Sequence, residues 1–240
     1  MTEPVRLARR VADMMPCSRR EAEMLIEGGW VRVDGTVVET PQVRVSGETV
    51  VIDPQAQPQP VLPATLLLHK PAGCGSDAAA SLITPANHWP GDRSGVRPLL
   101  RHRSQQVGVT PLEVDATGLL VFTQEWPIRR KLVQDAALVE HEVMVDVTGA
   151  VTSQVLHQLN RAPVVDGRAM LPAKVSISRQ VGNITGLRFA LKGCHPGQIA
   201  QMCAPLGLTV VAMRRIRIGR LVLAALPVGQ WRYLSPFERI

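Results

Sequence analysis

The chain has 240 residues, 45% of them apolar, with 27 Lys and Arg against 20 Asp and Glu and a formal charge of +7. That length and apolar share suit one large or two modest globular domains and exclude a disordered or collagen-like chain. Mean hydropathy near zero, no apolar run long enough to cross a bilayer, and an opening Met1-Thr-Glu-Pro-Val-Arg6 without an apolar stretch argue against membrane insertion or secretion. The expected location is the cytoplasm.

Val5 to Met15 has apolar residues at 5, 7, 8, 11, 12, 14 and 15, which predicts a helix with Arg6, Arg9 and Arg10 on or beside its polar side. Ser18 followed by Glu21 is a capping box that opens a second helix, with Arg19 and Arg20 in its first turn and an end at about Glu27, before Gly28-Gly29. Alternation from Trp30 to Val33, broken at Asp34-Gly35 and resumed at Thr36-Val-Val, predicts a hairpin. Glu48 to Asp53 reads as a third strand. Pro54 to Pro63, with four prolines in ten residues and no charge, reads as a semi-extended linker. The expected organisation is therefore a small unit at 1–53, a linker at 54–63 and a larger unit at 64–240.

In the larger unit, Thr65 to Gly73 reads as a buried strand running into a turn. An acidic loop, Leu112-Glu-Val-Asp-Ala-Thr117, leads into a second strand at Gly118 to Thr123. His141 to Val147 alternates, with Val143, Val145 and Val147 on one face. Helices are expected at Thr152–Leu159 and Gly197–Leu206. Arg214-Arg-Ile-Arg-Ile then alternates Arg against apolar residues, which predicts one basic and one buried face. Hairpins with intervening helices indicate an α+β domain on a mainly antiparallel sheet. Cys17, Cys74, Cys194 and Cys203 match neither a disulfide framework nor a common zinc spacing, although Cys194-His195 with Cys203 could be imagined as ligands; they read as reduced thiols.

The charge is uneven. Residues 1–53 hold seven bases and nine acids, residues 54–160 eight and nine, and residues 161–240 twelve and two. Of the 27 bases, 23 are Arg, the side chain that forks onto phosphates. A nucleic acid is the first partner to expect, against the plainer alternative of a basic face that serves solubility.

Val5-Arg-Leu-Ala, Cys17-Ser-Arg-Arg-Glu-Ala-Glu, Ile26-Glu-Gly-Gly and Val31-Arg-Val-Asp-Gly35 resemble the αL motif, a small RNA-binding domain named for a small-subunit ribosomal protein. The resemblance implies RNA contact through Arg6, Arg9, Arg10, Arg19 and Arg20. Downstream, His69-Lys-Pro-Ala-Gly73, Asp115-Ala-Thr-Gly-Leu-Leu-Val-Phe-Thr123, Arg214-Arg-Ile-Arg-Ile-Gly219 and Leu226-Pro-Val-Gly-Gln-Trp-Arg-Tyr-Leu234 resemble the RsuA-type ribosomal RNA pseudouridine synthases. That resemblance implies isomerisation of a uridine in ribosomal RNA, with no metal or cofactor, by a monomeric protein. Lys70, Arg214, Arg215 and Arg217 are then further candidates for RNA contact.

The resemblance also places the chemistry, and there the residues depart from the family. Its R-L-D-x-D-x-x-G pattern falls on Pro111-Leu-Glu-Val-Asp-Ala-Thr-Gly118, with Glu113 at the catalytic carboxylate and Asp115 at the second acid; the loop back to Gly108 is about two residues longer. Its K-x-Y-x-V-x-V strand falls on Val139 to Val145, with His141 in place of the Tyr; a shift by one would put Glu142 there, but the alternation favours His141. Its Q-[IV]-R-R-M helix appears as Gln198-Ile-Ala-Gln-Met202, with Ala200 and Gln201 where two arginines stand. Two expectations follow: an active synthase using Glu113, or Asp115 if the longer loop re-aims it, with His141 against the base; or a catalytically impaired RNA-binding relative acting in ribosome assembly or regulation.

Overall fold

A computed structural model of the chain describes residues 3–162, 164–165 and 168–240, with 164–165 and 168–169 described by their backbone alone. The chain divides into two compact units, Met1–Pro63 with Arg97–Gln105, and Ala64–Val96 with Gln106–Ile240.

The first unit contains β1 (Val5–Arg6), α1 (Leu7–Met14), α2 (Arg19–Glu27), β2 (Val31–Val33), β3 (Thr36–Val37), β4 (Arg44–Val45) and β5 (Val50–Ile52). The capping box starts α2: Glu21 N–H donates to Ser18 Oγ at 3.2 Å and Ser18 N–H donates to Glu21 Oε2 at 2.7 Å. Asp34 (φ 47°) and Gly35 (φ 80°) are both left-handed, as the two-residue turn between β2 and β3 requires. The first helix starts at Leu7 rather than Val5, because Val5 and Arg6 pair with Val45 and Arg44 as short strands. Leu7, Ala8 and Val11 of α1 pack on Ala22, Leu25 and Ile26 of α2 and on Val31, Val45 and Val50.

Residues 97–105, which include α3 (Leu100–Arg103), belong to this unit although they follow the first strand of the second unit, Thr65–Lys70, in the chain. Arg97 lies 3.7 Å over the Trp30 ring and donates to the Gly28 and Gly29 carbonyls at 3.4 and 3.2 Å. Leu100 N–H donates to Glu39 Oε2 at 2.5 Å, Arg101 pairs with Glu27 at 2.7 Å, and Leu99 is buried beside Gly29.

The second unit contains β6 (Thr65–Lys70), β7 (Val107–Gly108), β8 (Thr117–Thr123), α4 (Trp126–Val133), β9 (Glu140–Thr148), α5 (Ser153–Leu159), β10 (Val164–Val165), β11 (Arg168–Ala169), β12 (Lys174–Val181), β13 (Ile184–Lys192), α6 (Gln198–Cys203), β14 (Thr209–Ile218), β15 (Leu221–Val222) and β16 (Trp231–Tyr233). The main sheet runs β12-β13-β9-β14-β8-β6-β16, antiparallel except for the central pair β14–β8. This is the expected α+β architecture.

β6 and β8 are buried on both faces, in keeping with their continuous apolar runs. Leu66, Leu68, Leu120 and Phe122 face one core with Trp231, while Leu67, Leu119 and Val121 face another with Leu132 of α4 and Ile218. β9 is covered on one face only, where Val143, Val145 and Val147 meet Leu187, Phe189, Ile199 and Met202.

β14 departs from its simple alternation. Register shifts between Val210 and Ala212 and between Arg215 and Arg217 leave Arg214 exposed and turn Arg215 into the interior. Gly118 is the residue that lets β8 meet β14 in parallel there. Its φ is +122°, and a Cβ on it would lie 2.3 Å from the Arg215 carbonyl oxygen and 2.5 Å from the Arg215 nitrogen.

Candidate active site

Both candidate carboxylates sit on the loop between β7 and β8, and two buried cations hold that loop. Lys70, at the end of β6, donates from Nζ to the carbonyls of Pro71 and Val114 at 2.9 Å and of Ala116 at 2.7 Å. Arg215 donates from Nε to Leu119 O at 2.9 Å, from Nη1 to Pro111 O at 3.1 Å and from Nη2 to Thr110 O at 2.5 Å. Both side chains are 0% exposed. A buried charge is costly unless its donors are satisfied, and here backbone carbonyls satisfy them. Burial lowers the pKa of Lys70, and it lowers that of Arg215 to about 10, so Arg215 stays cationic at neutral pH. The expectation that Lys70 and Arg215 touch RNA is therefore corrected: neither reaches the surface, and both work on the loop from beneath.

The loop presents its two acids differently. Glu113 is half-buried, and its Oε1 accepts a hydrogen bond of 2.8 Å from Gly197 N–H, in the turn that precedes α6. Asp115 is exposed. Glu113 also lies close enough to Arg215 and Cys194 to act on their charges. Ala200 and Gln201, where the family carries arginines, are exposed on α6. The buried cation near Glu113 is instead Arg215, which comes from β14.

His141 lies in β9 opposite Leu191 of β13 and Ile218 of β14, 5% exposed. Burial, then the charges of Arg215, Arg217 and His195, push its pKa down to about 3, so the ring is neutral. Its Nδ1 is buried without a hydrogen-bond partner. Glu142 faces the other side of the sheet and binds Arg188 and Arg217, so the alternation places His141, not Glu142, on the site's face.

The His141 environment sets an acid limb of stability. An unfolded histidine titrates near 6.5 while the folded one stays neutral to about 3, so the unfolded chain takes up the proton first as pH falls. His141 therefore lowers unfolding free energy between about pH 6.5 and 3, by at most about 1.4 kcal/mol per pH unit. Urea titrations from pH 7 to 4.5 should show a shallower acid limb in His141→Gln than in the parent. An unchanged limb would show that His141 does not carry it.

Part of the charge surplus of the last third is paired with acids of the sheet. Arg179 pairs with Asp146 at 2.7 Å, Arg188 with Glu142 at 2.5 Å, and Arg217 with Glu140 and Glu142 at 2.5 and 2.7 Å. The acids of β9 thus neutralise arginines of the neighbouring strands. Arg217, half-buried, is a member of this ionic lattice. Arg214 is the one of the three on that strand that is exposed. In the first unit Arg6, Arg9, Arg10, Arg19 and Arg20 are all exposed, with Arg9 near Asp13 at 4.0 Å and Arg19 near Glu23 at 3.5 Å, pairs too exposed to hold them firmly.

The four cysteines are free thiols, and burial pushes Cys194 and Cys203 up to about 11. Among the described residues no group of His, Cys, Asp and Glu has the arrangement of a metal site, and no helix is long and apolar enough to cross a membrane. Trp231 and Tyr233 are buried packing residues, and Trp30 is half-buried beneath Arg97. The turn at 194–198, with Gly197 and Gln198, is a part of the site for which the sequence offered only the quoted helix pattern. Nothing local in the chain shows that a residue 84 positions away meets Glu113.

A helix pair with exposed arginines, followed by a sheet whose central loop presents a fixed carboxylate, defines an RNA-binding protein with a pseudouridine synthase fold. Residues 5–51 match the S4 domain. Along 98% of its length the chain is 24% identical to an uncharacterized RNA pseudouridine synthase of Aquifex aeolicus, of which it covers 92%, and 26% identical to the dual-specificity RNA pseudouridine synthase RluF of Escherichia coli, of which it covers 77%. It is also 27% identical to the ribosomal large subunit pseudouridine synthase B of Bacillus subtilis, over 97% of this chain and 93% of that one. A crystal structure of a pseudouridylate synthase shares the fold, with a TM-score of 0.59, 20% identity and 96% of each chain covered. Over nearly its whole length the chain is similar to RsuA-type pseudouridine synthases, and it carries an S4 domain at residues 5–51.

Proposed function

We propose that this protein isomerises a uridine in ribosomal RNA to pseudouridine, acting as a cytoplasmic monomer. The observation that carries the reading is the Glu113 carboxylate, bonded to Gly197 N–H on a loop whose backbone Lys70 and Arg215 clamp from below. The reaction breaks the C1′–N1 bond and forms a C1′–C5 bond; C5 loses a proton and N1 gains one. It is balanced without oxidant, reductant or cofactor. Glu113 is the carboxylate that attends the sugar. His141 offers the base an uncharged ring whose depressed basicity suits stacking and hydrogen bonding more than holding a proton. Asp115, being exposed, is the lesser candidate.

A specific observation favours the second reading, an RNA-binding relative without turnover: the Arg215 guanidinium is committed to carbonyls rather than to Glu113 itself. Incubating the purified protein with ribosomal RNA and mapping pseudouridine separates the two. Product at a defined uridine supports the synthase; no product while RNA binding persists overturns it in favour of the second reading.

RNA contact through the S4 helices has its own measure. Arg6→Ala, Arg10→Ala and Arg20→Ala together should weaken binding and lower the slope of log affinity against log salt by roughly 0.7 to 0.9 for each phosphate contact removed. An unchanged slope would place the RNA on another face.

A further inference from the structure

The turn preceding α6 does more than hold Glu113. Its next residue, Gln198, is 1% exposed, and its Oε1 accepts a hydrogen bond of 3.2 Å from His195 N–H. That bond orients the amide and leaves Nε2 as the free end, buried and without a partner. His141 Nδ1 is likewise buried and unpartnered, and His141 lies close enough to His195 to feel its charge. Two buried polar atoms are therefore without partners, and Gln198 belongs to the turn whose Gly197 N–H fixes the carboxylate. Buried polar groups are almost always paired in folded proteins, because an unmade hydrogen bond carries its full desolvation cost. Neither atom serves the packing of α6, which rests on Ile199, Met202 and Cys203.

We propose that Gln198 is a specificity-determining residue of this site, its Nε2 amide protons donating to a carbonyl oxygen of the flipped pyrimidine while His141 Nδ1 meets the same base. This rests on the synthase reading and assigns what the pocket recognises. An amide nitrogen donates and cannot accept, so at that position a carbonyl is bound and an exocyclic amino group is refused. RNA affinity comes from phosphate contacts elsewhere, so the amide acts on the bound base and not on docking.

Gln198→Glu is the discriminating variant. It keeps an oxygen to accept from His195 N–H and replaces the donor with a second acceptor. With ribosomal RNA as substrate, its maximal rate should fall on the order of a hundredfold, as for loss of one positioned donor, while RNA affinity stays within about twofold of the parent. In parallel, the Gln198 side-chain amide resonance, assigned by its disappearance in Gln198→Glu, should shift on titration with uridine 5′-monophosphate at millimolar concentration. Near-parental turnover in Gln198→Glu, or an amide resonance that ignores the nucleotide, overturns the assignment. If the parent makes no pseudouridine yet the amide responds to the nucleotide, base recognition by Gln198 stands and the synthase reading falls. Activity in the parent with no response at the amide has the opposite meaning.

Discussion

Arg215→Met should abolish turnover and destabilise the second unit by several kcal/mol, since each buried carbonyl left without a donor costs about 1 to 3 kcal/mol. The guanidinium is the common donor for Thr110, Pro111 and Leu119, which lie on either side of Glu113 in the chain. Without it, the buried carbonyls of Leu119 and Thr110 and the part-buried one of Pro111 lose this donor, and the carboxylate loses its nearby positive charge. Arg215→Lys keeps the charge but offers no planar fork to reach three carbonyls at once, so it should recover stability in part and activity little. Urea unfolding alongside pseudouridine formation measures both effects. A fully stable Arg215→Met protein would mean that the loop is held by other groups.

Gly118→Ala should be at least as severe although it adds a single methyl group. The new Cβ would lie 2.3 Å from the Arg215 carbonyl oxygen and 2.5 Å from its nitrogen, both backbone atoms of the neighbouring strand, and φ is +122°. Neither β8 nor β14 can give way cheaply, because they form the parallel pair at the centre of the sheet. A loss of more than about 4 kcal/mol is expected, enough to leave the second unit unfolded at ordinary temperature. Circular dichroism and expression in soluble form check it. A folded, active Gly118→Ala protein would contradict the close approach of these strands.

Local chemistry was readable from the residues wherever the signal was short in range. Ser18 with Glu21, the Asp34-Gly35 turn and the alternation around Val143, Val145 and Val147 each correspond to an element in the place expected. Reading failed where a distant partner decides. The two-residue pairing of β1 with β4 shortens the first helix, and residues 97–105 join the first unit through Trp30, Glu39 and Glu27 with no cue in their own composition.

The largest reversals concern charge. Alternation on β14 made Arg215 look like a surface residue, yet a register shift buries it, and Arg179, Arg188 and Arg217 meet acids brought alongside by β9. Net charge by segment therefore overstated the basic surface of the second unit. The same interior placement explains how the chain can lack arginines at 200 and 201 and still keep a cation near its carboxylate. The charge enters from a different strand, and it is held by carbonyls instead of by the acid itself.

Ribosomal RNA carrying tritium at C5 of its uridines provides the decisive test, because formation of the new carbon–carbon bond releases that label to water. The parent protein and Asp115→Ala should both release tritium, and Glu113→Ala should release none while still binding RNA. Release at parental rate from Glu113→Ala, or its loss in Asp115→Ala alone, would contradict the assignment of Glu113 as the working carboxylate.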